Sequence, residues 1–333
     1  DVSLWVKETN VKNNINNKNI NSTYLPNIIL PTNIIATNDL SEVIEQEVIF
    51  FVTPSKFIRD ICNQIKEISI TTNKKIIICS KGIEENSGLL ISEIIDEILP
   101  NNHLLILSGP SFAIEVAHNL PTAVSLSCQD FELRDVIEQK LTNDNFKLIG
   151  NYDLIGAQIC STAKNILAIG CGILTRLNQD HNIRNSSKSG EKNGEKNKDK
   201  SSDIATSCEN IKAYLMTSAI KEIKQIIRVK GGNIATADEL CGIGDIILTC
   251  SSEKSRNFSL GLELGKKKSL AELLSDEKKA VEGVDNAKSI MYIIKKFNIY
   301  APILSQIFNI LLKLYNLLLA YNFHHAWRVE IRR

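Results

Sequence analysis

The sequence predicts an α/β domain built on a doubly wound parallel sheet, followed by an all-α domain. Two observations carry this prediction. Over the first 150 residues, short runs rich in Ile, Val, Leu and Phe alternate with stretches of helical character. From about Leu154 onward, the strand-like runs stop and apolar residues recur with helical spacing. Strands that alternate with helices indicate parallel strands joined by right-handed crossovers.

Each strand is predicted from an apolar run that is long enough to cross a sheet once. Parallel strands covered by helices on both faces are almost continuously apolar, and these runs fit that pattern. Helices are expected between them, at 56–69 and at 88–99. The predicted strands are residues 2–6, 47–52, 74–80, 103–108 and 122–127.

The change of pattern at residues 150–153 predicts the division into domains. We place the first domain at 1–150 and the second at 151–333, with an insertion in the second at 182–207. The centre of that insertion, 185–203, has no apolar side chain, and its lysines and acidic residues nearly cancel. Such a segment cannot bury a core, so we expect a disordered loop. A basic binding arm is the alternative.

Composition argues against several partners. The net charge is +1 over 333 residues, so no global field attracts nucleic acid or an anionic membrane. The eight cysteines form no CxxC pair and no Cys/His metal spacing, which predicts reduced thiols, a cytoplasmic location and no metal site. The apolar stretch 303–321 is interrupted by polar residues, which favours a buried helix over a membrane span.

Lys164 lies inside the apolar run STAKNILAIGCGIL (161–174), which reads as a buried helix. A buried ammonium is costly unless it pairs with an acid or has a lowered pKa. A lysine with a lowered pKa can give and take a proton near neutral pH, which makes Lys164 a candidate catalytic residue. The alternative is a lysine whose stem packs while its ammonium reaches water.

Three other segments place reactive groups beside turns. Lys81 directly follows a predicted strand, at the sheet edge where α/β proteins bind ligands. Gly109 and Ser111 precede a helix that is predicted to open near Phe112. Exposed N–H groups at such a helix start favour anions, although Ser111 as a helix cap would need no ligand. Asp245 would supply a counter-charge for Lys164 or cap a helix. Arg256 presents a fork of donors suited to phosphate.

Five segments, in order along the chain, resemble the bacterial-type NAD(P)-dependent glycerol-3-phosphate dehydrogenase family. Each motif alone is modest, but five in the family's order make chance resemblance very improbable. They are NINSTYLPNIILPTNIIATNDL (19–40), SGPSFAIEVA (108–117), STAKNILAIGCGI (161–173), GIGDIILTCSSEKSRN (242–257) and VEGVDNAKSI (281–290).

The resemblance implies a Rossmann-like domain and hydride transfer from NADPH or NADH to dihydroxyacetone phosphate. The product, sn-glycerol 3-phosphate, would supply phospholipid synthesis, and the resemblance also implies a homodimer. Lys164 would be the catalytic lysine. The implied substrate-binding residues are Lys81, Gly109, Ser111, Asn165, Asp245, Ser255, Arg256 and Asn257. The implied cofactor-binding residues are Trp5, Lys7, Lys81, Ala113, Arg256 and Glu282.

The chain departs from the family's pattern at both ends. Residues 2–6 resemble the family's second strand, so its first strand and its GxGxxG turn, which approaches the cofactor diphosphate, are absent from this sequence. We therefore expect a gap in the sheet and weak cofactor binding. Lys7 favours NADPH, while the adjacent Glu8 favours NADH. The tail after about Leu311 does not match the family.

Two alternatives stay open on the sequence alone. The first is a decayed or non-catalytic fragment of this family, motivated by the absent glycine turn, the insertion and the unmatched tail. The second is a related Rossmann-plus-helical dehydrogenase acting on another hydroxy acid.

Overall fold

The computed structural model describes residues 1–69, 71–189, 209–266 and 282–312, with the backbone alone at 180–189. The chain divides into two compact units. The first unit contains Asp1–Glu84 and Leu89–Gln158, and the second contains Glu85–Gly88 and the described residues from Ile159 onward. The predicted insertion begins within a helix that runs to Ser189. Its remainder, like the unmatched tail beyond 312, lies outside the described residues.

The described residues of the first unit form nine strands in three sheets. The largest sheet has five strands in the order β5-β6-β7-β8-β9, and two smaller sheets pair β1 with β4 and β2 with β3. The strands are β1 (Val2–Trp5), β2 (Ile20–Asn21), β3 (Leu25–Ile29), β4 (Ile34–Thr37), β5 (Val48–Phe51), β6 (Lys75–Ile78), β7 (His103–Ser108), β8 (Thr122–Ser127) and β9 (Phe146–Asn151).

The predicted fold class is confirmed, with one correction to the sheet. All five predicted strands are present, and β1–β4, β5–β6, β6–β7 and β8–β9 are parallel pairs. However, β8 runs antiparallel to β7, with Ser108 opposite Ser125. The connection between them holds only a helix of five residues, too short for a full crossover, so the chain returns antiparallel. The prediction that this strand runs parallel to its neighbours is therefore wrong for its pairing with β7.

The β1–β4 pair and the five-stranded sheet are separate sheets, in agreement with the predicted gap. Among the described residues, β1 pairs only with β4 and β5 pairs only with β6. Each of the two has its own apolar cluster. Val11, Ile15 and Ala36 are buried beside the β1–β4 pair, and Ile77 and Leu105 lie in the centre of the larger sheet.

Helices cover the sheets of the first unit. The apolar residues of α4 recur at Ile91, Ile94, Ile95 and Ile98, and all four are buried, as the helical period requires. The helices are α1 (Thr9–Lys18), α2 (Ser41–Ile44), α3 (Ile58–Ile68), α4 (Ile91–Ile98), α5 (Ala113–Ala117) and α6 (Phe131–Leu141).

Helices are the only regular secondary structure among the described residues of the second unit. Its central helix, α7, is long and apolar enough over Leu154–Gln179 to cross a membrane, but most of that stretch is buried inside the protein, as in the core helix of a globular domain. The helices are α7 (Leu154–Ser189), α8 (Glu209–Val229), α9 (Asp245–Cys250), α10 (Arg256–Gly265), α11 (Glu282–Lys296) and α12 (Pro302–Leu312).

A buried carboxylate anchors the last of these helices. Both oxygens of Glu222, on α8, accept hydrogen bonds from the first turn of α12, from the backbone N–H groups of Ile303 at 2.8 Å and Leu304 at 3.0 Å. The first N–H groups of a helix have no partner within the helix, and a negative charge there is favourable. The helix expected at 303–321 is therefore present as far as Leu312, and the rest of that prediction lies outside the described residues.

Candidate active site

Lys164 lies on the central helix of the second unit and is 5% exposed. Its neighbours on α7, including Ala163 and Leu167, are fully buried, so the chain offers the ammonium no route to water along the helix. The alternative of a lysine reaching solvent is therefore wrong. Instead, the Lys164 Nζ forms an ion pair with the Asp245 Oδ1 and donates a hydrogen bond of 3.1 Å to the Thr249 Oγ1.

The segment before α9 aims Asp245 and Thr249 at this lysine. A π-helical turn, Leu240–Gly244, leads directly into α9, whose first residue is Asp245. Such turns are rare and frequently occur at functional sites. Thr249 follows Asp245 by four residues, so the two side chains share one helix face, and the Thr249 hydroxyl donates to the Asp245 Oδ1 at 3.2 Å.

These contacts close a triangle of buried polar groups. Asp245 is 1% exposed, so the ion pair is shielded from water. Electrostatic interactions in such a buried place are stronger than those at the protein surface. Cys250, the residue after Thr249, shows how apolar the surroundings are. Burial, together with a hydrogen bond to Cys171, raises the pKa of the Cys250 thiol well above its ordinary value. The arrangement can hold one positive N–H donor in a fixed place in a dry environment.

Thr249 was not among the residues predicted from the sequence. The only signal was its spacing of four residues from Asp245 within GIGDIILTC. Such a spacing places two residues on one face of a helix but cannot by itself show that the face meets Lys164.

The other predicted residues of the second unit divide into buried and exposed groups. Asn165 and Asn257 are buried, whereas Arg256, the first residue of α10, is exposed and has no hydrogen bond or ion pair with any described residue. Ser255 is the N-cap of α10, and its hydroxyl oxygen accepts from the Phe258 N–H at 3.3 Å. Glu282 is half-buried in the first turn of α11.

Asn257 links two segments that are far apart in the sequence. Its Oδ1 accepts a hydrogen bond of 3.0 Å from the backbone N–H of Gly283, in the first turn of α11. This contact satisfies one of the N–H groups that a helix start leaves without a partner. The carboxamide oxygen of Asn257 therefore contributes to the fold, while its NH₂ group is the part of the side chain that can donate to a ligand.

In the first unit, Lys81 and Gly109 follow neighbouring strands at the same level. Ile78 of β6 is opposite Ile106 of β7, and Lys81 and Gly109 each come three residues later, at the carboxyl edge of the sheet. Gly109 has a φ of +154°, and a Cβ there would lie 2.9 Å from the Val124 Cα, so only glycine allows this approach.

Other residues predicted in the first unit have simpler environments. The Trp5 indole N–H donates to the Asn38 carbonyl at 3.3 Å, and the Lys7 ammonium lies 5.9 Å from the centre of the Phe57 ring. The expectation that Ser111 caps a helix is wrong. The N-cap of α5 is Phe112, and the Ser111 hydroxyl donates to the Gly109 carbonyl at 3.2 Å. Ala113 is the first residue of α5.

None of the described cysteines forms a disulfide. Burial raises the pKa of Cys62 to about 12 and that of Cys79 to about 11, so these thiols stay protonated at neutral pH. Among the described residues, no group of three or more His, Cys, Asp or Glu side chains is placed to hold a metal ion.

Comparisons with known proteins point to one family. The family model described as NAD-dependent glycerol-3-phosphate dehydrogenase N-terminus matches residues 1–134, and the corresponding C-terminus model matches residues 202–319. A glycerol-3-phosphate dehydrogenase [NAD(P)+] of Parvibaculum lavamentivorans is 34% identical over 91% of this chain and 82% of its own length. The enzyme of the same name from Ehrlichia chaffeensis is 36% identical over 80% of this chain and 74% of its own.

A solved structure gives the same result. The crystal structure of glycerol-3-phosphate dehydrogenase from Coxiella burnetii superposes with a TM-score of 0.80 at 30% sequence identity. The superposition covers 93% of this chain and 87% of that one.

Proposed function

This chain belongs to the NAD-dependent glycerol-3-phosphate dehydrogenase family, and from that premise we propose that it reduces dihydroxyacetone phosphate to sn-glycerol 3-phosphate. The reductant is NADH or NADPH, and the product supplies phospholipid synthesis. The observation that carries the proposal is the buried triangle of Lys164, Asp245 and Thr249.

The triangle suits the proton transfer that this reaction requires. When hydride reaches C2 of the substrate, the carbonyl oxygen becomes an alkoxide, and the Lys164 ammonium gives it a proton. In the reverse direction the neutral amine removes the proton of the C2 hydroxyl. Asp245 and Thr249 fix the position of Nζ, and a fixed donor in a dry site stabilises a developing oxyanion more than a mobile one in water.

The residues of the first unit fit a nicotinamide cofactor at the carboxyl edge of the sheet. The hydroxyl of Ser108, at the end of β7, is buried and has no hydrogen-bond partner among the described residues, and Gly109 beside it leaves the backbone open to close approach. A bound nicotinamide cofactor supplies the hydride. The residues of the first unit that would hold it are Trp5, Lys7, Lys81 and Ala113, and the resemblance adds Arg256 and Glu282 of the second unit.

The substrate's phosphate requires donors, and Arg256 is proposed as the principal one. Its guanidinium is exposed and makes no contact with described residues that would have to be broken. Asn165 and the NH₂ group of Asn257 would add neutral donors, while Lys81, Gly109, Ser111 and Ser255 are proposed to line the rest of the substrate site. We further propose that the protein is a homodimer and is cytoplasmic. The described cysteines form no disulfide, which agrees with a cytoplasmic location.

The direct experiment gives the purified protein dihydroxyacetone phosphate with NADH or NADPH and follows the loss of the reduced cofactor. Oxidation of the cofactor with formation of sn-glycerol 3-phosphate supports the proposal. No oxidation at saturating substrate would favour the non-catalytic alternative. Turnover of the precursor of a hydroxy acid, in place of the phosphorylated ketone, would favour the alternative of a related dehydrogenase that acts on another hydroxy acid.

Arg256→Ala is expected to raise the KM for dihydroxyacetone phosphate by roughly 10–100-fold, because hydrogen bonds to charged groups contribute about 1.5–3 kcal/mol. Steady-state kinetics check this. Lys254→Ala is the matched control, since it removes an exposed cation two residues away and should leave the KM nearly unchanged. Equal effects of the two substitutions would indicate a general field and not a specific phosphate contact.

A further inference from the structure

Two buried carboxamides in the second unit lack the partners that buried donors normally have. Asn165, on α7, is 3% exposed and Asn286, on α11, is 2% exposed. The Nδ2 atom of each is buried and has no hydrogen-bond partner among the described residues. Leaving a buried donor unsatisfied costs about 1–3 kcal/mol, and native proteins contain few such groups.

The first turn of α11 lies directly against the backbone of Asn165 and the side chain of Asn257. A Cβ on Gly283 would lie 2.9 Å from the backbone carbonyl oxygen of Asn165 and 2.5 Å from the Asn257 Oδ1, so the helix backbone rests directly on both residues. The hydrogen bond from the Gly283 N–H to Asn257 holds this contact. Asn286 follows Gly283 by three residues and therefore lies on the same face of α11, one turn further along.

The chemistry of this cluster suits a phosphate. Each carboxamide NH₂ carries two N–H donors and no charge, and phosphate oxygens are acceptors only. The carboxylate nearest in sequence, that of Asp285, is on an exposed residue, and Asp245 is held by Lys164, so neither introduces an uncompensated negative charge among the three asparagines. Arg256 is adjacent to Asn257 in the sequence and can supply the positive charge.

We propose that Asn286 is a further phosphate-binding residue, whose NH₂ group acts with that of Asn165 to bind the phosphate of dihydroxyacetone phosphate. This inference rests on the proposed function. It adds to the phosphate site a residue from α11 that lies one turn beyond Glu282. The proposal also gives the Nδ2 atoms of Asn165 and Asn286 the same acceptor, the phosphate of the substrate.

Two variants of Asn286 test the inference. Asn286→Ala removes the donors with a small loss of volume, and Asn286→Asp keeps the size but places a negative charge beside the phosphate. We expect at least a 10-fold rise in the KM for dihydroxyacetone phosphate and in the Kd for sn-glycerol 3-phosphate measured by calorimetry, with the larger rise in Asn286→Asp. The KM for NADH should change by less than threefold. If Asn286→Asp does not fold, Asn286→Ala alone decides.

Ser289→Ala is the matched control. Ser289 is equally buried and lies one turn further along α11, but its hydroxyl donates to the Asp285 carbonyl at 3.4 Å, so its loss should leave substrate affinity unchanged.

The outcomes separate the two proposals. A wild-type protein that neither turns over nor binds sn-glycerol 3-phosphate would contradict the proposed function. If the wild-type protein is active and both Asn286 variants keep its KM for dihydroxyacetone phosphate and its Kd for sn-glycerol 3-phosphate, only the inference about Asn286 is overturned. The buried donors would then be assigned to an internal water. A rise in the KM for NADH equal to that for the substrate would also overturn the inference, because the acceptor would then be a phosphate of the cofactor.

Discussion

Lys164→Ala is expected to lower kcat by about 10²–10⁴-fold, the usual contribution of a positioned proton donor or acceptor. The reason is the absence of any replacement: the ammonium is buried, and its described neighbours Asp245 and Thr249 carry no positive charge. The KM for NADH should change little, because Lys164 is not among the residues proposed to hold the cofactor. Steady-state kinetics with dihydroxyacetone phosphate measure both constants.

Lys212→Ala provides the matched control for this substitution. Lys212 is also a buried lysine of the second unit and is paired at 2.9 Å with Glu209, but that acid is exposed. Its removal should cost stability without a comparable loss of kcat. An unchanged kcat in Lys164→Ala, or equal losses in the two variants, would remove Lys164 from its proposed role.

Asp245→Ala is expected to lower the free energy of unfolding by about 3–5 kcal/mol, because breaking a buried ion pair leaves the other charge without compensation. Lys164 would then be an ammonium in apolar surroundings, with the Thr249 hydroxyl as the only partner of the triangle still in place. Urea unfolding followed by circular dichroism measures the change.

The contrast with an exposed pair sharpens this second prediction. Lys224 and Asp238 form an ion pair at 2.6 Å, with the Asp238 side chain 58% exposed. Asp238→Ala should cost at most about 1 kcal/mol, the usual range for surface pairs. If Asp245→Ala cost no more than Asp238→Ala, the Lys164–Asp245 pair would be behaving as a hydrated surface contact.

The sequence predicts the site best where chemistry and burial conflict within one short segment. Lys164 inside an apolar helix requires a partner whatever the fold, and Asp245 in an equally apolar segment is a natural counter-charge, so their pairing could be anticipated. The resemblance to a family then supplied roles that no single motif could. The contact of Thr249 with Lys164 could not be predicted from the sequence, because it depends on where α9 meets α7.

Local sequence patterns could not predict contacts between distant segments or the direction of a strand. Asn257 and Gly283 are separated by 26 residues, and nothing near either one reveals that a side-chain oxygen caps the start of α11. The apolar run of β8 has the composition of a parallel strand, yet it runs antiparallel to β7 because α5 is too short for a crossover. Strand composition reports burial on both faces and does not report direction.

The central claim is that Lys164 and Asp245 act in proton transfer and not merely in holding the second unit together. The double variant Lys164→Met/Asp245→Leu separates these roles, because replacing a buried ion pair by apolar residues of similar volume is often neutral or stabilising. Its kcat, measured beside its free energy of unfolding, is the most direct test. We predict wild-type-like stability, with turnover still lowered by at least about 10²-fold. If the double variant had both the stability and the turnover of the wild-type protein, the proposed role of Lys164 and Asp245 in proton transfer would be contradicted.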